Sequence, residues 1–112
     1  MPNDQSVQDK LKALLDTYRS QLPQRLNEID TLWQVVCEQG KMGDEGKELY
    51  RLVHSLAGSG ASFGFSDLSK AAKAFEMALK VYCESGEPFD KQAQQQVEGV
   101  RASFYEALRA VE

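Results

Sequence analysis

The chain has 112 residues, 42% apolar and 27% charged, the balance of one globular domain and long enough to bury roughly two-thirds of its extended surface without staples. No apolar run approaches the roughly 20 residues that span a bilayer. The start, Met1 to Ser6, lacks the basic and apolar regions of a secretory signal, so a cytoplasmic, reducing setting is expected. Three Pro and eight Gly exclude a collagen-like chain, and a net charge of -4 does not favour nucleic acid, which a basic patch or stripe would meet.

Helical periodicity runs through the sequence, and no alternating strand is visible. Val7, Leu11, Leu14, Leu15 and Tyr18 recur at three- and four-residue spacing, which predicts a short first helix over Asp4 to Ser20. Proline is tolerated in a first turn but costly inside a helix. A break is therefore expected between Ser20 and Pro23, with Ser20 as the N-cap of the next helix. Leu22, Leu26, Ile29, Trp33 and Val36, widened by Leu32, predict a second helix over Leu22 to Gln39, which Gly40 closes. Gly40, Gly43 and Gly46 mark a loop.

Leu49, Leu52, Leu56 and Phe63 share one face of a third helix over Glu45 to Phe63. Gly64 is placed to end it and Ser66 to cap its successor. Leu68, Ala71, Ala72, Phe75, Leu79 and Tyr82 give the stripe of a fourth helix over Asp67 to Glu84. Ser85-Gly86-Glu87-Pro88 is the clearest turn signal. Val97, Val100, Phe104, Leu108 and Val111 predict a last helix over Phe89 to Val111, whose polar start, Lys91 to Gln96, is expected to fray. The expectation is an all-α fold, an antiparallel up-down four-helix bundle with a short extra N-terminal helix. Residues 1-112 form a single domain in this reading. A monomer is expected, because the apolar stripes can be satisfied internally.

The candidate chemistry centres on the one histidine. On a wheel of about 100° per residue, Leu49, Leu52, Leu56 and Phe63 lie opposite His54, so the imidazole points away from the core. Around it fall Lys47, Tyr50, Arg51, Ala57, Gly58, Ala61 and Ser62. Glycine inside a helix costs roughly 1 kcal/mol relative to alanine, so Gly58 and Gly60 need a reason. Gly58 clears space beside the imidazole for a partner. Gly60, toward the core, permits close helix packing. A neutral imidazole is a nucleophile at physiological pH.

Other features have plainer readings. Cys37 and Cys83 are far apart in sequence and read as small hydrophobes. One His with scattered carboxylates gives no metal-ligand spacing, and no second nucleophile-base pair suggests an unrelated enzyme. Trp33 reads as packing. Asp44-Glu45 and Glu87/Asp90 read as loop and helix-start charges, and Gln92 with Gln94-Gln95-Gln96 as an exposed face.

The segment His54-Ser-Leu-Ala-Gly-Ser-Gly-Ala-Ser-Phe-Gly64 resembles the signature of histidine-containing phosphotransfer (HPt) domains, roughly His-x-Leu-Lys-Gly-x-Ala/Ser-x-x-Leu/Phe-Gly. Leu68, Ala71, Ala72 and Glu76 fit the helix that follows. The resemblance implies a bacterial-type phosphorelay protein in which His54 carries a phosphoryl group between response-regulator receiver domains. A hybrid sensor kinase would be a further partner. It implies a phosphocarrier without kinase activity and without a cofactor of its own, Mg²⁺ being held by the partner receiver; no nucleotide-binding loop is visible. The family's usual lysine three residues after the histidine is Ala57 here. Lys80, Lys73 or Arg51 would then supply the positive charge. Tyr50, Ser55, Ala61, Ser62 and Phe65 are the expected partner-docking residues, Phe65 being read first as a staple or core residue. The departure at Ala57 motivates an alternative: an HPt-like module that binds a receiver or sensor kinase without being phosphorylated. The chain, beginning at Met1 and ending soon after its last helix, reads as a freestanding small protein.

Overall fold

The computed structural model describes residues 4-111. Within them the chain forms α1 (Asp4–Gln39), α2 (Gly43–Ser62), α3 (Ser66–Ser85) and α4 (Lys91–Val111). Each helix packs on two neighbours: α1 on α2 and α4, α3 on α2 and α4. The backbones of the diagonal pairs stay apart among the described residues, and side chains such as Trp33 of α1 and Phe75 of α3 meet across the centre. Short connections and this ring of contacts make an up-down four-helix bundle.

The expected break near Pro23 is absent. Residues Asp4 to Gln39 form one helix of 36 residues with Pro23 inside it. There is no separate N-terminal helix, and α1 joins the two segments that the proline seemed to divide. The reason is the apolar stripe. Tyr18, Leu22, Ile29, Trp33 and Val36 hold one helical face on both sides of Pro23, and all are buried. Pro23 itself is exposed, so water can serve the carbonyl that its missing N–H leaves free. Ser20 is not a cap; its hydroxyl donates to the Thr17 carbonyl at 2.7 Å, as a serine in mid-helix does.

The other boundaries follow local chemistry. Gly40 and Gly64 have φ of 68° and 84°, a left-handed backbone that glycine adopts without strain. Ser66 is the first residue of α3, and Phe65 stands at the cap position with no side-chain cap bond. The start of α4 is better anchored than its polar sequence suggests. The Asp90 carboxylate accepts the Ala93 N–H at 3.0 Å, an N-cap bond that offsets an orphan donor. Gln94, expected on an exposed face, donates to the Cys37 carbonyl at 3.2 Å and the Phe89 carbonyl at 3.0 Å.

The centre of the core is aromatic. Phe75, Phe89 and Phe104 are fully buried. Trp33 meets Phe75 and Phe89 edge-on, at ring-centroid separations of 6.0 and 5.5 Å, the packing expected of it. Between α1 and α4 lies a polar cluster with no sequence signature. The Arg101 guanidinium lies over the Trp33 ring at 4.8 Å and the Tyr105 ring at 4.4 Å. It pairs with Asp30 at 3.3 Å and Glu98 at 2.8 Å. The Tyr105 hydroxyl donates to the same Asp30 carboxylate at 3.1 Å.

No described helix is long and apolar enough to cross a membrane. Both cysteines are free thiols, half-buried against the core, and burial pushes both thiols above their ordinary range.

Candidate functional site

The site is built on the seam between α2 and α3, where the helices approach closely. Gly60 is buried. A Cβ there would stand 3.4 Å from the Ser69 amide nitrogen and 3.5 Å from the Leu68 side chain. Close packing explains this glycine, as its place on the wheel suggests. The Ser69 hydroxyl crosses the seam and donates to the Ala57 carbonyl at 2.8 Å.

His54 stands on the outer edge of this seam, its side chain 64% exposed. Leu49, Leu52, Val53 and Leu56 of the same helix are buried, so the imidazole faces outward as its spacing requires. Tyr50, one turn before it, lies against the ring at 5.9 Å with an interplanar angle of 12°. Gly58, one turn after it, is exposed, and a Cβ there would meet nothing within 4 Å. Packing therefore does not require this glycine.

One partner was not assigned from the sequence. Glu76 of α3 reaches across the seam and its carboxylate lies 2.7 Å from His54 Nδ1. Glu76 is the one buried charged residue among those described, its side chain only 11% exposed. Burying a carboxylate is costly unless it is hydrogen-bonded, and His54 is its hydrogen-bond partner here. The signal was present in the sequence: an acidic residue beside Phe75 on the stripe that runs from Ala72 to Leu79.

With Glu76 ionised, Nδ1 carries the proton and donates it to the carboxylate. The Nε2 lone pair is then left free on the exposed edge of the ring. A carboxylate that fixes tautomer and ring orientation in this way is a common device for histidines that act through the other nitrogen.

The remaining expected residues fall into groups. Ala57 is buried, 8% exposed, and so does not line the open surface around His54 as its wheel position suggested. It sits at the α2–α3 seam, where the neighbouring helix covers it. Ser55, Ala61 and Ser62 are exposed on α2. Phe65 is half-buried and stacks on Tyr18 at 5.7 Å, with Arg19 over its ring at 5.4 Å. That is the packing reading of Phe65.

The cations differ in freedom. Arg51 is held by Glu48, its Nε 3.0 Å from the carboxylate. The pair draws Glu48 below the usual carboxylate range and raises Arg51. Lys80 lies 3.7 Å from Glu84. Lys73 is exposed and makes no ion pair among the described residues. Lys73 and Lys80 stand one turn either side of Glu76 along α3. Among the described residues, no group of three or more His, Cys, Asp or Glu could hold a metal ion.

The family model described as Hpt domain matches residues 13-110. No curated protein and no solved structure matches the chain.

Proposed function

The chain belongs to the Hpt domain family, whose work is histidine phosphotransfer in two-component signalling, and we propose on that premise that it carries a phosphoryl group on His54 between response-regulator receiver domains. Residues 1-112 act as one unit in this reading. The observation that carries it is the His54–Glu76 pair: an exposed imidazole whose Nδ1 is occupied at 2.7 Å by a nearly buried carboxylate.

The Nε2 lone pair attacks the phosphorus of an aspartyl phosphate on the donor receiver. The P–O bond to the aspartate breaks, and its electron pair leaves with the carboxylate. The Nδ1 proton stays in place, and the ring becomes cationic beside the Glu76 carboxylate, which offsets that charge. In the onward step an acceptor aspartate attacks the same phosphorus and the N–P bond returns its pair to Nε2. A loose phosphoryl transition state needs positioning and charge stabilisation more than covalent help. A Mg²⁺ held by the receiver would supply much of that charge.

The charge that Ala57 lacks is assigned to Lys73 and Lys80, which flank Glu76 on α3; Lys80 meets Glu84 only at 3.7 Å, whereas two nitrogens of Arg51 are hydrogen-bonded to Glu48. Gly58 leaves room for the receiver to bring its aspartate to Nε2, and Tyr50, Ser55, Ala61 and Ser62 surround that approach on α2.

The test is a label-transfer assay with a panel of phosphorylated receiver domains and Mg²⁺, wild type beside His54→Gln. Acid-labile, base-stable label on wild type alone is the expected result. Binding of a receiver without labelling of wild type would overturn it in favour of a module that is not phosphorylated.

A further inference from the structure

Glu76 fixes one point of the His54 ring, and one point does not fix a plane. The bond between Nδ1 and the carboxylate at 2.7 Å leaves the imidazole able to hinge about that contact, because the side chain is 64% exposed and little of the protein surrounds it. The direction of the Nε2 lone pair depends on how far the ring hinges.

A second constraint comes from the helix. Side chains on an α-helix lean toward its N-terminus, over the turn before their own Cα. The imidazole therefore lies over the turn that carries Tyr50. The two rings are nearly parallel, 12° apart with centroids at 5.9 Å. Tyr50 is itself half-buried and packed against the core, so it offers a firm surface. The same lean would bring any side chain at position 58 back over His54. Gly58 has none, and the space where its Cβ would stand is empty. His54 thus has a wall on one side and an opening on the other.

We infer that, on the reading of His54 as the phosphoryl carrier, Tyr50 is a positioning residue: its ring face holds the plane of the imidazole while Glu76 holds Nδ1. Nδ1 keeps its proton when Nε2 takes the phosphoryl group, so the imidazole becomes cationic. The π face of a phenol attracts a cation within about 6 Å of its centroid, an attraction that the neutral ring lacks. The contact is therefore stronger in the phosphorylated form than at rest, and Tyr50 draws the phosphoryl group toward His54. The hydroxyl is not needed for this. Tyr18, Tyr82 and Tyr105 each engage a partner through the hydroxyl. Tyr50, the remaining one of the four, makes no such bond among the described residues.

Tyr50→Phe keeps the ring and Tyr50→Leu removes it. NMR of the resting protein needs no partner. Wild type and Tyr50→Phe are expected to hold His54 in a single rotamer, read from its side-chain couplings, with cross-relaxation between the ring protons at position 50 and the imidazole. Tyr50→Leu is expected to average the rotamers. Phosphoryl transfer from a phosphorylated receiver with Mg²⁺ is then followed to equilibrium. Tyr50→Leu is expected to accept label about three- to sixfold more slowly, the number of wells opened by one or two loose torsions. It is also expected to shift the equilibrium about two- to fivefold toward the receiver. Tyr50→Phe should match wild type in both. The shifted equilibrium separates this role from a loss of stability, which Arg101→Ala would cause without it. A wild-type His54 that samples several rotamers, a Tyr50→Phe chain as impaired as Tyr50→Leu, or an unmoved equilibrium in Tyr50→Leu would each overturn the inference. The wild-type and Tyr50→Phe spectra decide it even if Tyr50→Leu unfolds. A wild type that takes no label contradicts the phosphotransfer reading itself, and the couplings still decide whether Tyr50 holds the ring.

Discussion

Two carboxylates in this bundle sit at helix seams beside an aromatic or cationic partner, and they are managed in opposite ways. At the α1–α4 seam, Asp30 receives both Arg101 and the Tyr105 hydroxyl. The Arg101 side chain, 17% exposed, is further enclosed by two rings and by Glu98. The groups in that cluster face one another. At the α2–α3 seam, Glu76 binds one nitrogen of His54 and leaves the other facing solvent on a ring that is 64% exposed. The closed cluster can only hold helices together, whereas the open pair has a reactive atom left over. Partner count, more than burial, separates a structural polar group from one available for chemistry.

The largest effect that would sharpen the comparison is at the open pair. His54→Gln is expected to abolish phosphoryl labelling while changing the thermal midpoint little, because the side chain is mostly exposed and the glutamine amide can donate to Glu76 in place of Nδ1. Glu76→Ala should slow transfer by about 10–100-fold with His54 still labelled, measured as single-turnover rates from a phosphorylated receiver. A wild-type rate in that variant would show that the carboxylate does not position the ring.

The closed cluster should behave in reverse. Arg101→Ala is expected to lose about 1–3 kcal/mol in urea unfolding, since it strips Asp30 and two ring faces of their partner, and to leave the transfer rate unchanged. Its pH signature is alkaline. Burial, partly opposed by Arg101, pushes the Tyr105 phenol up to about 12. The unfolded phenol ionises near 10, so the neutral phenol's contribution is intact below pH about 10 and is lost as pH rises toward about 12. Wild type should lose more stability than Tyr105→Phe across that window. The smallest effect is at Gly58, where open space lies around the missing Cβ. Gly58→Ala should stabilise the fold by about 0.5–1 kcal/mol and slow transfer, opposite signs that packing alone would not produce.

Much of this was legible from spacing. The stripes give the four bundle helices, and the positions of Leu49, Leu52 and Leu56 turn His54 outward. Pro23 misleads because a proline rule is local, whereas continuity of α1 is decided by buried residues on both sides of it. Ala57 misleads because a wheel gives an angle, not the place where a neighbouring helix covers it. Glu76 and Arg101 depend on which helix faces which, and no single stripe encodes that. Asp90 was read as a helix-start charge, and its carboxylate proves to be the cap that keeps a polar helix start ordered.

The central claim is that Glu76 holds the proton on Nδ1 so that Nε2 receives the phosphoryl group. Long-range nitrogen–proton NMR correlation of the His54 ring, before and after exposure to a phosphorylated receiver and Mg²⁺, tests it most directly. The account predicts an Nδ1-protonated tautomer at rest and phosphorus coupling on Nε2 afterwards. A resting ring protonated on Nε2, or phosphorus coupling on Nδ1, would contradict it.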